Sequence, residues 1–257
     1  DTMIALAGTT LVTGRLEECK SILQTFAKYE HHGLLPNLFP EGDVEPMYNS
    51  VDAPLLFINA VYEYIQTSKD NAFLPEVWDV LKRIMTAYEK GTDYHIGMDS
   101  DCLIQAGADL EQLTWMDVRV GNYLPTPRHG KPVEINAYWY NDLEIMKQFA
   151  LLQQDNKLAQ HYAELADKVK EAFLLKFWNE EENCLKDVLS GNSEENQVRC
   201  NQVWVLSMPY TMLPKEKELC VLHKIKEELY TTAGLRTLSP KDSAFHDIYI
   251  GSCRKIR

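Results

Sequence analysis

The chain has little positive charge, few cysteines and no long apolar run. Acidic or basic residues interrupt every apolar stretch before it reaches the roughly 20 residues that a membrane helix requires, so no membrane span is expected. Lys and Arg number 26 against 38 Asp and Glu, a net charge of −12. Such a surface repels phosphate backbones and anionic lipids, and nucleic acid is not an expected partner. Six cysteines (Cys19, Cys102, Cys184, Cys200, Cys220, Cys253) stand singly, without a CxxC pair or the dense framework of small secreted domains. Reduced thiols and a cytoplasmic location follow as expectations. The first residue is Asp1, so the missing leader carries little weight, and the chain is expected to start inside a longer polypeptide. There is no Gly-rich phosphate loop and no GxSxG elbow, which leaves kinases, dinucleotide enzymes and serine hydrolases without support. His31, His32, His95 and the trio Asp93, Asp99 and Asp101 lack zinc or EF-hand spacing. They read as solvated loop residues, and neither a metal nor a cofactor is expected.

What is present is ordinary globular material: 45% hydrophobic and 25% charged residues in 257, enough for a large core. Apolar residues recur at helical spacing in Thr2 to Thr13, Leu16 to His31, a segment capped by Ser50 and running through Ile65, Leu74 to Lys90, Glu134 to Gln154, Lys157 to Trp178, Asn201 to Met212, and Pro214 to Thr232. Gly14, Gly33, Gly91 and Gly234 stand where helices would stop. Eight helices in four hairpins are therefore expected. Strand-like alternation is confined to Tyr94 to Ile104 and Cys184 to Val188, which read as small ribbons in loops.

The connections are uneven. Links within hairpins are brief, whereas Leu34 to Asn49, Gly91 to Val133 and Asn179 to Arg199 are long and rich in Gly, Pro, aromatic and charged residues. In stacked hairpins every second connection falls at the same end, so the long loops would wall a pocket there. The densest stretch is Leu113 to Asn141. It mixes Trp115, Tyr123, Tyr138, Trp139 and Tyr140 with Asp117, Arg119, Arg128, Lys131, Glu134 and Asn136. Flat aromatic faces among hydrogen-bonding groups suit a sugar ring, although any one of these aromatics taken alone is as readily a core anchor. Asp117, between Met116 and Val118, is expected in an apolar neighbourhood that discourages ionisation and suits a general acid. On spacing alone it is also a common cap or ion-pair residue.

The blocks LPNLFPEGD (Leu35 to Asp43), MYNSVDA (Met47 to Ala53), QLTWMD (Gln112 to Asp117) and TPRHGKPVEINAYWYN (Thr126 to Asn141) resemble the glycogen debranching enzyme family, in its amylo-α-1,6-glucosidase catalytic domain. Asp1 to Leu6 resembles the end of a Trp-Gly-Arg-Asp-Thr segment of that family, and Gly234 to Pro240 another stretch, so the similarity runs from Asp1 to about Tyr249. The resemblance implies an all-α fold, an (α/α)6 toroid of six hairpins. Against it, the eight helices read here make an incomplete toroid, a partial catalytic domain lacking its C-terminal hairpin or hairpins and its first. It also implies hydrolysis, with inversion, of α-1,6-linked glucose at branch points of glycogen or a related branched α-glucan. Asp117 matches the general acid, and Asp1, Tyr48, Asn49, Asp52, Trp115, Arg128, Lys131, Glu134, Asn136 and Trp139 would line the glucose subsite.

The chain also departs from the pattern. The family's general base is a Glu near a His-Gln-Gly-Thr-Val-Trp stretch past the segment that resembles Tyr249; this sequence lacks that stretch and ends in Gly251 to Arg257, unlike the family. No base is assigned, and the chain alone is expected to have little glucosidase activity. A toroid with a gap would also expose apolar stripes and favour self-association, while the oligomeric state is left open. The competing readings are a carbohydrate-binding module without catalysis and another α/α-toroid glycosidase.

Overall fold

A computed structural model describes residues 2–39, 45–191 and 196–248. Asp1, Asp43 and Cys253 of the sequence analysis lie outside these residues. Among the described residues there are eight α-helices: α1 (Thr2–Leu6), α2 (Leu16–Lys28), α3 (Ala53–Ser68), α4 (Phe73–Lys90), α5 (Val133–Leu152), α6 (Asn156–Phe177), α7 (Trp204–Ser207) and α8 (Lys215–Lys224). A widened π turn extends α1 through Ala7–Leu11 and another extends α8 through Ile225–Leu229.

Helix boundaries follow local chemistry. The Ser50 hydroxyl accepts the Ala53 N–H at 3.2 Å and Pro54 occupies the first turn of α3, where its missing N–H costs nothing. The chain leaves α4 at Gly91 with φ +91°, a conformation open to glycine. Asp155 caps α6 by accepting the Leu158 N–H at 3.0 Å. One expected helix is much shorter than its periodicity suggests: Asn201 to Met212 yields only a 3-10 turn (Cys200–Val203) and α7. Met208 precedes Pro209 and is extended, with ψ 152°, as the proline ring requires of its predecessor.

The packing sorts the helices into two rows. Odd-numbered helices pack on one another in the order α1, α3, α5, α7, while α2 packs on α3 and on the π turn that extends α1, α4 packs on α3 and α6 on α5. Burial agrees. Fifteen of the 20 residues of α5 are buried, against seven of the 22 in α6, so α5 is covered on most sides and α6 on one stripe. This alternation of inner and outer helices is the α/α toroid arrangement, and the described residues do not close it into a barrel. The last pair differs: α7 packs on α5, and α8 packs on the 3-10 turn and a ribbon.

The described residues also form four two-stranded antiparallel ribbons: β1 (Gly97–Met98) with β2 (Ile104–Gln105), β3 (Lys131–Pro132) with β6 (Val188–Leu189), β4 (Trp178–Asn179) with β5 (Cys184–Leu185), and β7 (Tyr230–Thr231) with β8 (Gly234–Leu235). Short links follow the odd helices and long loops follow the even ones, so the long loops gather at the N-terminal ends of the inner helices. No described helix is long and apolar enough to cross a membrane.

Candidate active site

At that end a cleft of about 270 Å³ is lined by Thr2, Asn37, Asn49, Ser50, Asp52, Leu113, Thr114, Trp115 and Asp117. Each lining segment arrives for a structural reason. Thr2 opens α1, Asn49 to Asp52 lead into α3, and Leu113 to Asp117 belong to the long loop before α5. That loop is anchored by the Leu113 carbonyl, which accepts the Val51 N–H at 2.9 Å. Trp115 leaves 40% of its surface exposed and lines the cleft, and Asp117 is exposed there as well.

The apolar neighbourhood expected around Asp117 is not formed. Val118 points outward, 59% exposed, and the Met116 thioether turns inward to accept from Asn201 Nδ2 at 3.5 Å. The carboxyl of the cleft that burial perturbs is the half-buried Asp52 instead. Burial raises it above its ordinary value, and a hydrogen bond donated by the Ser50 hydroxyl opposes that shift. The cleft thus holds two carboxyl groups in unlike surroundings.

Asn49, Asp52, Trp115 and Asp117 therefore meet in one cleft, while the other described residues expected at the sugar lie elsewhere. The Tyr48 hydroxyl donates to the Tyr29 carbonyl at 3.0 Å and its ring tilts against His31. Lys131 is held between Asp99 and Asp101, both at 2.7 Å, which accounts for two of the acidic residues weighed as metal ligands. Asn136 is buried and clamps β2, accepting the Ile104 N–H at 2.8 Å and donating to the Ile104 carbonyl at 3.1 Å. Trp139 has no exposed surface; it stacks on Tyr88 and donates to the Cys102 carbonyl at 3.2 Å. All three sit on or beside the first turns of α5, the most enclosed helix, so their side chains brace loops against it.

Arg128 and Glu134 are buried against each other. The Arg128 guanidinium makes a two-pronged pair with Glu134, at 2.6 Å through Nη2, and donates through Nε to Asp187 Oδ2 at 2.7 Å. Burial alone would lower its pKa, but Asp187 and Glu134 together raise it, so the arginine stays charged. Its backbone is held at φ +35°, in the left-handed region that costs a non-glycine residue about 1–3 kcal/mol. The β3–β6 ribbon enforces this meeting by pairing Pro132 with Val188, one residue from Asp187.

Two residues to which the sequence reading gave no site role complete the assembly. Asn201, at the start of the 3-10 turn, accepts the Trp115 indole N–H at 2.8 Å and donates to Asp187 Oδ1 at 2.8 Å. A line of contacts thus runs from Trp115 through Asn201 and Asp187 to Arg128 and Glu134. The sequence carried one faint signal, the polar residues Gln197, Arg199, Asn201 and Gln202 crowded at the start of a helical pattern. A second hollow of about 640 Å³ is walled by Met116, Tyr123, Arg128, Asp187 and Arg199 among others.

The α/α arrangement, the loop-built cleft and its carboxyl and indole groups are features of a carbohydrate-processing domain. Residues 1–256 match the family described as amylo-alpha-1,6-glucosidase, and the chain belongs to that family. The glycogen debranching enzyme of Saccharomyces cerevisiae is 24% identical, over 97% of this chain and 22% of its own length. Mannosyl-oligosaccharide glucosidase of the same yeast is 28% identical, over 39% of this chain and 13% of its own. The chain thus spans about a fifth or less of these relatives. Among solved structures, a GH78 family rhamnosidase of Bacillus sp. GL1 superposes with a TM-score of 0.61 at 17% identity, covering 90% of this chain and 21% of the rhamnosidase. A rhamnosidase from Klebsiella oxytoca with rhamnose bound gives 0.59 at 18% identity, covering 83% and 38%. At these identities the likeness concerns the fold.

Proposed function

We propose that the chain takes an α-1,6-linked glucosyl residue of glycogen, or of a related branched α-glucan, in the cleft of Trp115 and Asp117, and that Asp117 is the general acid of an inverting hydrolysis. Trp115 offers the sugar a flat apolar face, Asn49 and Asp52 offer hydrogen-bonding groups for its hydroxyls, and Asp117 protonates the departing glycosidic oxygen. Inversion also needs a carboxylate roughly 6.5–9.5 Å from the acid to activate water. That role is not assigned, and the chain alone is expected to turn over slowly. The location proposed is cytoplasmic, in keeping with the single free thiols.

The observation that carries this reading is the convergence of Asn49, Asp52, Trp115 and Asp117 on one cleft, from two segments far apart in sequence. Because turnover is expected to be slow, binding is the first test. Titration with a maltooligosaccharide bearing one α-1,6-linked glucosyl stub is expected to quench indole emission, and Trp115→Phe to remove the quench. Asp117→Asn is expected to keep the affinity within about twofold, while any release of glucose falls by about 10²–10⁴. No quench in the unaltered protein, or a measurable glucose release that survives Asp117→Asn, defeats the proposal.

A further inference from the structure

We infer that Asn201, oriented by Asp187, is a positioning residue that fixes the Trp115 indole and with it the loop carrying Asp117. The inference rests on the functional reading above only where it concerns the sugar. The hydrogen-bond chemistry leaves one arrangement. An ionised carboxylate can only accept, so Asp187 Oδ1 draws the Asn201 amide nitrogen, at 2.8 Å. That leaves Asn201 Oδ1 facing the other way, and the indole N–H, which can only donate, meets it at 2.8 Å. Reversing the amide would break both contacts at once.

Asp187 in turn is held by Arg128 at 2.7 Å and lies 3.9 Å from Arg199. Asn201 and Asp187 are buried, at 1% and 3% exposure, so water does not replace a lost contact. Asn201 Nδ2 also touches the Met116 thioether at 3.5 Å, giving the amide a second hold on the residue just before Asp117. Trp115 itself is exposed enough to swing without that hold.

The test reads the indole N–H signals of ¹⁵N-tryptophan-labelled protein by NMR, with Trp115 assigned by its loss in Trp115→Phe. In Asn201→Leu the Trp115 signal is expected to move and its exchange with water to quicken about tenfold or more, while the Trp139 signal, bonded to Cys102, stays in place. Affinity for the α-1,6-branched saccharide is expected to fall by about tenfold. A second pair of variants guards against misfolding. Asn201→Asp alone sets two carboxylates against each other, whereas Asn201→Asp combined with Asp187→Asn exchanges amide and carboxylate and is expected to bring the Trp115 signal back. An unmoved Trp115 signal in Asn201→Leu overturns the inference, as does a displaced indole with unchanged affinity. If Asn201→Leu also shifts Trp139, the second pair decides: recovery in the double variant supports the inference and no recovery overturns it. Unaltered protein that binds no α-1,6-linked saccharide defeats the functional reading instead, and the indole signals then decide the role of Asn201 by themselves.

Discussion

Asp142 is a carboxyl group in the middle of α5 with no exposed surface. One oxygen accepts from Asn141 at 3.3 Å and the other has no hydrogen-bond partner among the described residues. Burial raises its pKa well above the ordinary value, and the single amide contact opposes this weakly. Because the folded state holds this proton more tightly than the unfolded state, stability falls as pH climbs from about 4, the unfolded carboxyl value, towards the folded one. Asp142→Asn removes that term. The variant is expected to match the parent near pH 4 and to exceed it by about 1–3 kcal/mol at neutral pH, as read from urea unfolding at several pH values. A constant difference across that range would show that Asp142 keeps its proton in neither state. No sequence pattern marks this residue: Tyr-Asn-Asp-Leu gives no hint that the helix is covered on the side where the acid falls.

Among the elements, the helices were legible because each needs only its own stripe of apolar residues and its own stop. The inner helix α5 illustrates the limit. Its apolar positions are interrupted by Glu134, Asn136, Asn141 and Asp142, all buried, so periodicity locates the helix but says little about its partners. Asn141 shows what those polar groups do: it donates to Asn59 of α3 at 3.1 Å and accepts the Tyr210 N–H at 3.2 Å, joining α3 to the segment after α7. The ribbons were legible as short extended pieces, but not their pairing. Nothing local says that Lys131 lies opposite Leu189. The β3–β6 pairing also depends on Gly130, whose φ is +107° and where a Cβ would stand 2.3 Å from the Leu189 carbonyl oxygen. Gly130→Ala is expected to cost about 1–3 kcal/mol and to loosen the ribbon. The measured sign would be loss of amide protection at Val133, whose N–H is bonded to the Asp187 carbonyl at 3.0 Å.

For the whole molecule, the motif around Asp117 and the two segments entering the cleft could be read along the chain, because each is a contiguous block. The buried ion cluster could not, since Arg128, Glu134 and Asp187 come from a loop, a helix and a ribbon edge that only the fold brings together. Their placement divides the protein into regions of unequal dependence. Arg128→Met leaves two buried carboxylates facing each other and is expected to destabilise by about 3–5 kcal/mol. The loss should not be spread evenly, because the cluster joins the cleft loop, the start of α5 and the segment around Asp187, whereas α3 and α4 pack through side chains such as Phe57, Val61, Leu81 and Ile84 that it never touches. Hydrogen exchange of the variant is therefore expected to speed up first in residues 113–132 and 184–191, with the central amides of α3 and α4 keeping most of their protection. Uniform acceleration along the chain would mean that the cleft end and the helical rows open as one cooperative unit, and that the cluster stabilises the entire fold and not just the end where the cleft is built.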